Sequence, residues 1–157
     1  MRRKSFADMP CPIARALDDL GEWWTLLILR EAHAGVRRFD EFQKNLGIAR
    51  NILAARLKTL VANHILDKRP LPDEGTRRVE YCLTTKGQEM GLVLMALADW
   101  GNKFGPNGPL VAMETVDSGD PVKLEIVNAL NGARVEPHNM RVRTLNDPSR
   151  SFSPLKV

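Results

Sequence analysis

The sequence predicts a mainly α fold with a small β element, and three observations carry that prediction. Residues 40–46 read as a short helix, Gly47 interrupts it, and residues 49–63 read as a longer helix. Two alternating stretches follow, Leu66 to Leu71 and Arg78 to Leu83, joined by the turn-forming run Pro72-Asp73-Glu74-Gly75-Thr76. Basic charge gathers in the same place: residues 37–78 carry ten Lys/Arg against five Asp/Glu, while the rest of the chain carries thirteen against fourteen. Helix, turn, helix and basic hairpin describe a winged helix-turn-helix. In that arrangement the second helix enters a major groove of DNA and the hairpin reaches the adjacent backbone. The charge excess lies where such a fold would meet phosphate.

Bulk properties narrow the class further. A chain of 157 residues suits one well-cored domain with an appendage. No apolar run approaches the roughly 18 residues of a membrane span. The N-terminus, with Arg2, Arg3 and Lys4, is basic but is not followed by an apolar core of the secretory kind. The arm is either a DNA-tracking tail or a solvated one. Two cysteines, Cys11 and Cys82, form neither a disulfide framework nor a metal-ligand pattern, which suits a reducing cytoplasm.

The first helix is expected over Pro12–Leu20, with proline at its first position and Gly21 as its stop. Ile13, Ala16, Leu17 and Leu20 give it one apolar face. A second helix over residues 22–33 carries Trp23, Trp24, Leu26, Leu27, Ile28 and Leu29 on more than one face. It must therefore be central to a core or bury a second face elsewhere. In the helix over residues 49–63, Leu53, Leu57, Leu60 and Val61 cluster within about 100° as a core stripe. Asn51, Ala55, Lys58, Thr59 and Ala62 lie opposite, Arg50 and Arg56 flank them, and the helix has no acidic residue.

A last long helix opens at Thr84-Thr85, where Thr85 with Gln88 fits a capping box. Met90, Val93, Leu94, Leu97, Gly101 and Phe104 continue it as a stripe until Gly105-Pro106. It spans roughly 30 Å at 1.5 Å per residue, a length that suits packing against a symmetry mate. After it the composition shifts, so we divide the chain into a domain over residues 1–105 and an extension over 106–157. In the extension Val122, Leu124 and Ile126 alternate with charged residues, Asn131-Gly132 reads as a two-residue hairpin turn, and Met140 to Thr144 alternates again.

At this point the sequence resembles a known family. Cys11-Pro12-Ile13-Ala14-Arg15-Ala16-Leu17-Asp18 and Trp24-Thr25-Leu26-Leu27-Ile28-Leu29-Arg30-Glu31 resemble the opening of HxlR-type transcriptional regulators, within the MarR-like superfamily. Arg37-Arg38-Phe39-Asp40-Glu41-Phe42, then Leu53, Arg56-Leu57-Lys58-Thr59-Leu60, then Arg78-Val79-Glu80-Tyr81 with Leu83-Thr84 and Gly87, continue it in order. The resemblance covers about residues 10–104. It implies a bacterial or archaeal winged-helix regulator, homodimeric through its first and last helices, that binds an inverted-repeat operator in double-stranded DNA near a promoter. The sequence departs from the family before Trp24-Thr25, where Glu22 and Trp23 stand in places that often hold a glycine and a basic residue. Some relatives carry cysteines in the C-terminal extension; residues 106–157 hold none, so no metal and no cofactor are expected.

Candidate site residues follow from the chemistry of DNA. Arg50 and Asn51 can pair with guanine and adenine edges, and Ala55 permits close approach. The other reading of Asn51 is a helix-start cap. Arg56, Lys58, Arg37 and Arg38 suit phosphates, and Arg77 and Arg78 belong to the wing, where one of them can instead brace Glu80. Cys11 stands at a helix N-terminus, where amide dipoles favour a thiolate, with Arg15 one turn on. In some HxlR relatives a cysteine matching this position senses oxidants or electrophiles; the alternative is an inert thiol. Cys82 reads as a small filler. Trp23, Trp24 and Trp100 are either dimer core or the walls of a pocket for an aromatic or cationic effector. His33, His64 and His138 are scattered, and the sequence has no phosphate-binding glycine loop, nucleophile elbow or acid pair, which speaks against an enzyme. A winged-helix protein–protein module is the remaining rival, opposed by the acid-free helix over residues 49–63.

Overall fold

The computed structural model describes residues 11–71, 78–106, 108–143, 145 and, for the backbone, 151–152. Arg2, Arg3 and Lys4, and the turn over residues 72–77 with Arg77, lie outside the described residues. The elements are α1 (Pro12–Leu20), α2 (Trp23–His33), α3 (Phe39–Leu46), α4 (Arg50–Ala62), β1 (Leu66–Pro70), β2 (Val79–Leu83) and α5 (Thr85–Phe104). A 3-10 turn (Pro137–Asn139) and the short strands β3 (Val142–Arg143) and β4 (Ser151–Phe152) follow. The chain divides into two units, Met1–Leu97 and Ala98–Val157. Among the described residues no helix is long and apolar enough to cross a membrane.

The first unit is a five-helix winged helix-turn-helix. Its core is Ile28 and Leu29 of α2, Phe42 of α3, Ile48 of the turn, Leu53, Leu57 and Leu60 of α4, and Ile65 and Leu66, each at most 2% exposed. Three of these are members of the stripe that the periodicity of α4 predicts; Val61 packs only partly against the cluster. The turn between α3 and α4 works because Gly47 adopts φ 60°, ψ 20°, a left-handed conformation in which any other residue strains the backbone. The Glu41 carboxylate accepts from the Arg38 N–H at 3.3 Å and so satisfies one donor at the α3 entry.

The start of α5 differs from expectation. The cap is Thr84, not Thr85: its hydroxyl accepts from the Gly87 N–H at 3.1 Å and donates to the His64 carbonyl at 2.8 Å. The Thr84 N–H also donates to the Ile65 carbonyl at 3.1 Å, so the cap is fixed by the chain leaving α4. Close packing follows at Gly87, where an added Cβ would lie 2.2 Å from the Ile65 carbonyl oxygen.

β1 and β2 pair antiparallel with Leu66 opposite Leu83, Lys68 opposite Tyr81 and Arg69 opposite Glu80. The Leu71 N–H continues the ladder to the Arg78 carbonyl at 3.0 Å, and the Tyr81 N–H donates to the Arg37 carbonyl at 2.8 Å. The segment entering α3 is thereby fastened to the wing. Glu80 faces Arg69 across this ladder, and Arg78 faces Leu71.

The second unit is built differently. Asn102 on the last turn of α5 donates to the Val111 carbonyl at 2.7 Å and accepts from the Leu110 N–H at 2.8 Å. Two narrow hairpins follow, marked by single bridges between Glu114 and Pro121 and between Val127 and Arg134. The expected strand over Val122, Leu124 and Ile126 is absent as a continuous element, and β3 pairs with β4 instead. The turn at Asn131-Gly132 is also wider than two residues, because the Asn128 N–H closes onto the Ala133 carbonyl at 2.8 Å. Side chains explain it: Asn128 Oδ1 takes the Leu130 N–H and Asn131 Oδ1 takes the Ala133 N–H, at 2.8 and 3.0 Å. None of the residues described with side chains in this unit is buried.

Candidate nucleic-acid interface

The outward face of α4 is where the structure gathers predicted residues. Asn51, Ala55, Lys58 and Ala62 are exposed on it, opposite Leu53, Leu57 and Leu60. Thr59 beside them is partly exposed, its hydroxyl donating to the Ala55 carbonyl at 3.1 Å. Ala49 is the residue preceding the helix and Arg50 its first member, so Asn51 does not hold the cap position. No side chain caps this N-terminus and no acidic residue occupies its first turn. Its amide groups have no side-chain cap, and the positive end of the helix dipole favours an anion there.

Arg50 is exposed, with its guanidinium carbon 5.0 Å from the centre of the Phe39 ring. That contact links the start of α4 to the start of α3 and limits where the arginine can swing. Arg38, preceding α3, pairs with Asp40 at 3.4 Å. The N–H groups at the helix start, that of Asp40 first, hold the Asp40 carboxyl below the ordinary carboxylate range; Arg38 adds to this against the opposing effect of desolvation. Arg37 lies at the back of the wing, its Nη1 4.0 Å from the Cys82 sulfur. It shares a cleft of about 290 Å³ with Arg69, Tyr81 and Gln88. Arg78 is exposed at the end of the β1–β2 ladder farthest from α4, opposite Leu71.

Arg56 stands apart from the other cations. Expected on a phosphate, it is turned to Glu22, with Nη2 2.5 Å from Oε2, and its side chain is only 22% exposed. Sequence reasoning missed Glu22 as its partner. A signal existed: at 100° per residue Arg56 falls about 40° from Leu60, at the edge of the core stripe, a flank where a cation needs a counter-charge that α4 itself does not supply.

The remaining candidates lie elsewhere. Cys11 precedes α1 with extended backbone, is partly exposed, and its carbonyl accepts from the Arg15 N–H at 3.1 Å. Cys82 is buried in β2. Trp23 and Trp24 stack with centroids 4.3 Å apart; Trp24 packs on the core while Trp23 is 63% exposed. Trp100 belongs to the second unit and is paired with Phe104 at 5.6 Å. Among the described residues no group of His, Cys, Asp and Glu is arranged to hold a metal ion.

Known proteins share this arrangement. The family model of the HxlR-like helix-turn-helix matches residues 19–109. An HTH-type transcriptional regulator of Mycobacterium tuberculosis (strain ATCC 25618 / H37Rv) is 35% identical over 130 residues, 82% of each chain. The solved structure of PA1607, a candidate transcription factor, superposes with a TM-score of 0.80 at 38% identity, over 88% of this chain and 98% of its own. The reduced form of the transcriptional regulator YodB from Bacillus subtilis superposes with a TM-score of 0.53 at 34% identity, over 62% of this chain and 97% of its own. With its fold, its α4 face and these similarities in agreement, the chain belongs to the HxlR-like helix-turn-helix family of transcriptional regulators.

Proposed function

We propose that the chain binds an inverted-repeat operator as a homodimer, with α4 of each copy in a major groove. The observation that carries this reading is the outward face of α4: Asn51, Ala55 and Lys58 exposed, no acidic residue, and an uncapped N-terminus. Asn51 reads a base edge, Ala55 lets the helix approach, and Lys58, Arg38 and Arg78 meet phosphates; Arg77, outside the described residues, is a further candidate for the backbone. Arg50 adds a base contact from its place over Phe39. Arg37, exposed beside Cys82 just before α3, is a further candidate for a phosphate. Residues 1–105 form the DNA-binding and dimerisation domain and residues 106–157 an extension; no catalytic step is assigned to either.

Dimerisation is supported by apolar side chains exposed along α1 and α5. No residue of α1 is buried, and Ile13 and Leu17 are 70% and 50% exposed. Along α5 the exposed Val93, Leu97, Trp100 and Phe104 recur at the alternating four- and three-residue spacing of a helix-pairing seam. Trp23 adds to this apolar surface, and we read it as interface. An effector site at the Trp23–Trp24 stack is the second reading, supported by the exposed ring of Trp23; quenching of tryptophan fluorescence by quinones or aromatic cations tests it.

Cys11 is the candidate redox site. YodB has been solved in a reduced and a diamide-treated form, so oxidation was of interest in that relative. Here the partly exposed thiol stands at the entry of α1, on the proposed interface. Binding to the chain's own upstream DNA, measured for reduced, diamide-treated and Cys11→Ser protein, tests it. Loss of binding on oxidation only when Cys11 is present supports a thiol switch. Equal loss in Cys11→Ser assigns the effect to another residue, and no loss removes the switch.

A further inference from the structure

We propose that Glu22 and Arg56 are a positioning pair that sets the rotation of α4, and with it sequence choice, from the corner between α1 and α2. The inference rests on the DNA-binding reading of α4. It begins with the pair itself: Arg56 Nη2 lies 2.5 Å from Glu22 Oε2, and the arginine is 22% exposed against 48% for the glutamate. The Arg56 Nε is buried without a partner, so Glu22 supplies the counter-charge for a cation largely withdrawn from water. A guanidinium held this way does not reach for phosphate.

A second tie lies on the same flank of α4. Asn63, the residue that ends the helix, donates its side-chain N–H to the Asp19 carbonyl at 2.9 Å. Lys86 locks that contact by bridging the Asp19 carboxylate at 2.6 Å and the Asn63 carbonyl at 3.2 Å. Arg56 and Asn63 are seven residues apart, which places them about 20° from one another around the helix and roughly 10.5 Å apart along it. Both ties end on the short stretch from Asp19 to Glu22, where α1 stops and α2 starts. One tie would leave only the core packing of Leu53, Leu57 and Leu60 to resist a pivot about it. Two ties spaced along the axis fix both its slide and its rotation.

Rotation matters because the two classes of DNA contact tolerate it differently. A side-chain tip roughly 5–6 Å from the helix axis moves about 1 Å for a 10° turn. A hydrogen bond to a base edge spans only roughly 2.7–3.2 Å, so such a shift breaks it. A phosphate contact by a long flexible cation follows the movement. Releasing Glu22 from Arg56 therefore costs specificity and leaves non-specific affinity in place. It also makes the corner a route by which displacement of α1 reaches the DNA-reading face.

The test is a double-mutant cycle with Glu22→Gln, Arg56→Gln and the two combined, measured on the chain's own upstream DNA and on a scrambled duplex of equal length. The pair predicts that Glu22→Gln lowers the ratio of the two affinities about fivefold or more, with the salt slope unchanged. The combined variant then loses no more than the single ones. A silent Glu22→Gln beside an Arg56→Gln that weakens both DNAs equally and reduces the salt slope by about one unit would overturn the proposal, because Arg56 would then be a phosphate contact. Additive losses would overturn it too. If Arg56→Gln does not fold, half-exposed Glu22 carries the test through Glu22→Gln and its conservative counterpart Glu22→Asp, which should restore part of the ratio. Failure of the wild-type protein to bind any DNA contradicts the underlying reading instead. Amide hydrogen exchange of the free protein then judges the pair alone: Glu22→Gln should speed exchange in α4 and not in the first two turns of α5, and unchanged exchange in α4 refutes it.

Discussion

Asn51 and Lys58 lie on the same face of α4 but ask different things of DNA. An asparagine amide can satisfy an adenine edge with two hydrogen bonds, whereas a lysine offers a point charge to any phosphate. Asn51→Ala should therefore cost about 1–3 kcal/mol on the cognate site and little on scrambled DNA. Lys58→Ala should weaken both, with a salt slope smaller by about one unit. Equal losses on both DNAs for both variants, seen in a fluorescence-anisotropy titration, would contradict these roles. Gly87 makes a prediction about stability rather than binding. An alanine there would bring its Cβ to 2.2 Å from a backbone oxygen, a contact no side-chain rotation relieves. Gly87→Ala should destabilise the fold by about 1–3 kcal/mol in urea unfolding, and an unchanged midpoint would mean that α5 shifts at no cost. The exposed residues of α4 were legible from the sequence because the helical period separates Leu53, Leu57 and Leu60 from Asn51, Ala55 and Lys58. The partner of Arg56 was not, since Glu22 lies 34 residues away in another helix and periodicity carries no information about contacts between elements.

Elements were legible where local rules act alone. Pro12 and Gly21 bound α1 as expected, and Gly47 ends α3. Tertiary contacts decided the rest: Thr84 displaces Thr85 as the α5 cap because His64 and Ile65 offer acceptors, and Asn side chains widen the Asn131-Gly132 turn. Two predictions belong to this scale. The uncovered faces of α1 and α5 should pair between copies, so Leu17→Glu with Leu97→Glu should shift the protein from dimer to monomer in sedimentation equilibrium. A variant that remains dimeric would place the interface elsewhere. Between α2 and α3, burial raises the pKa of Glu31, but the Asn45 amide at 2.7 Å and the Arg30 guanidinium at 2.7 Å outweigh it, leaving the carboxyl below its ordinary range. A carboxylate lowered in the folded state stabilises it fully above its unfolded pKa of about 4.3, and that contribution disappears as pH falls through the folded value. Wild type should thus lose stability relative to Glu31→Gln only as the pH drops below about 4.3. Parallel urea midpoints across that window would show the link contributes nothing.

For the whole molecule, charge and similarity point to one surface. The excess of Lys/Arg in residues 37–78 coincides with α3, α4 and the wing, and the remainder of the chain is close to neutral. The similarity to PA1607 covers 88% of the chain and so includes part of the second unit, while YodB is matched over 97% of its own length by 62% of this chain. The similarity to YodB thus spans a smaller share of this chain than the similarity to PA1607 does. The pairing after α5 was not legible, because alternating residues fix no register where, among the residues described with side chains, none is buried. DNA binding by the basic face of α4 and the wing is the claim on which the rest depends, and a salt titration of binding to the chain's own upstream DNA measures it most directly. Tight binding to that DNA, a steep linear fall of log affinity with log salt, and weaker binding to scrambled DNA are the predicted result. No binding to either DNA at low salt would contradict it.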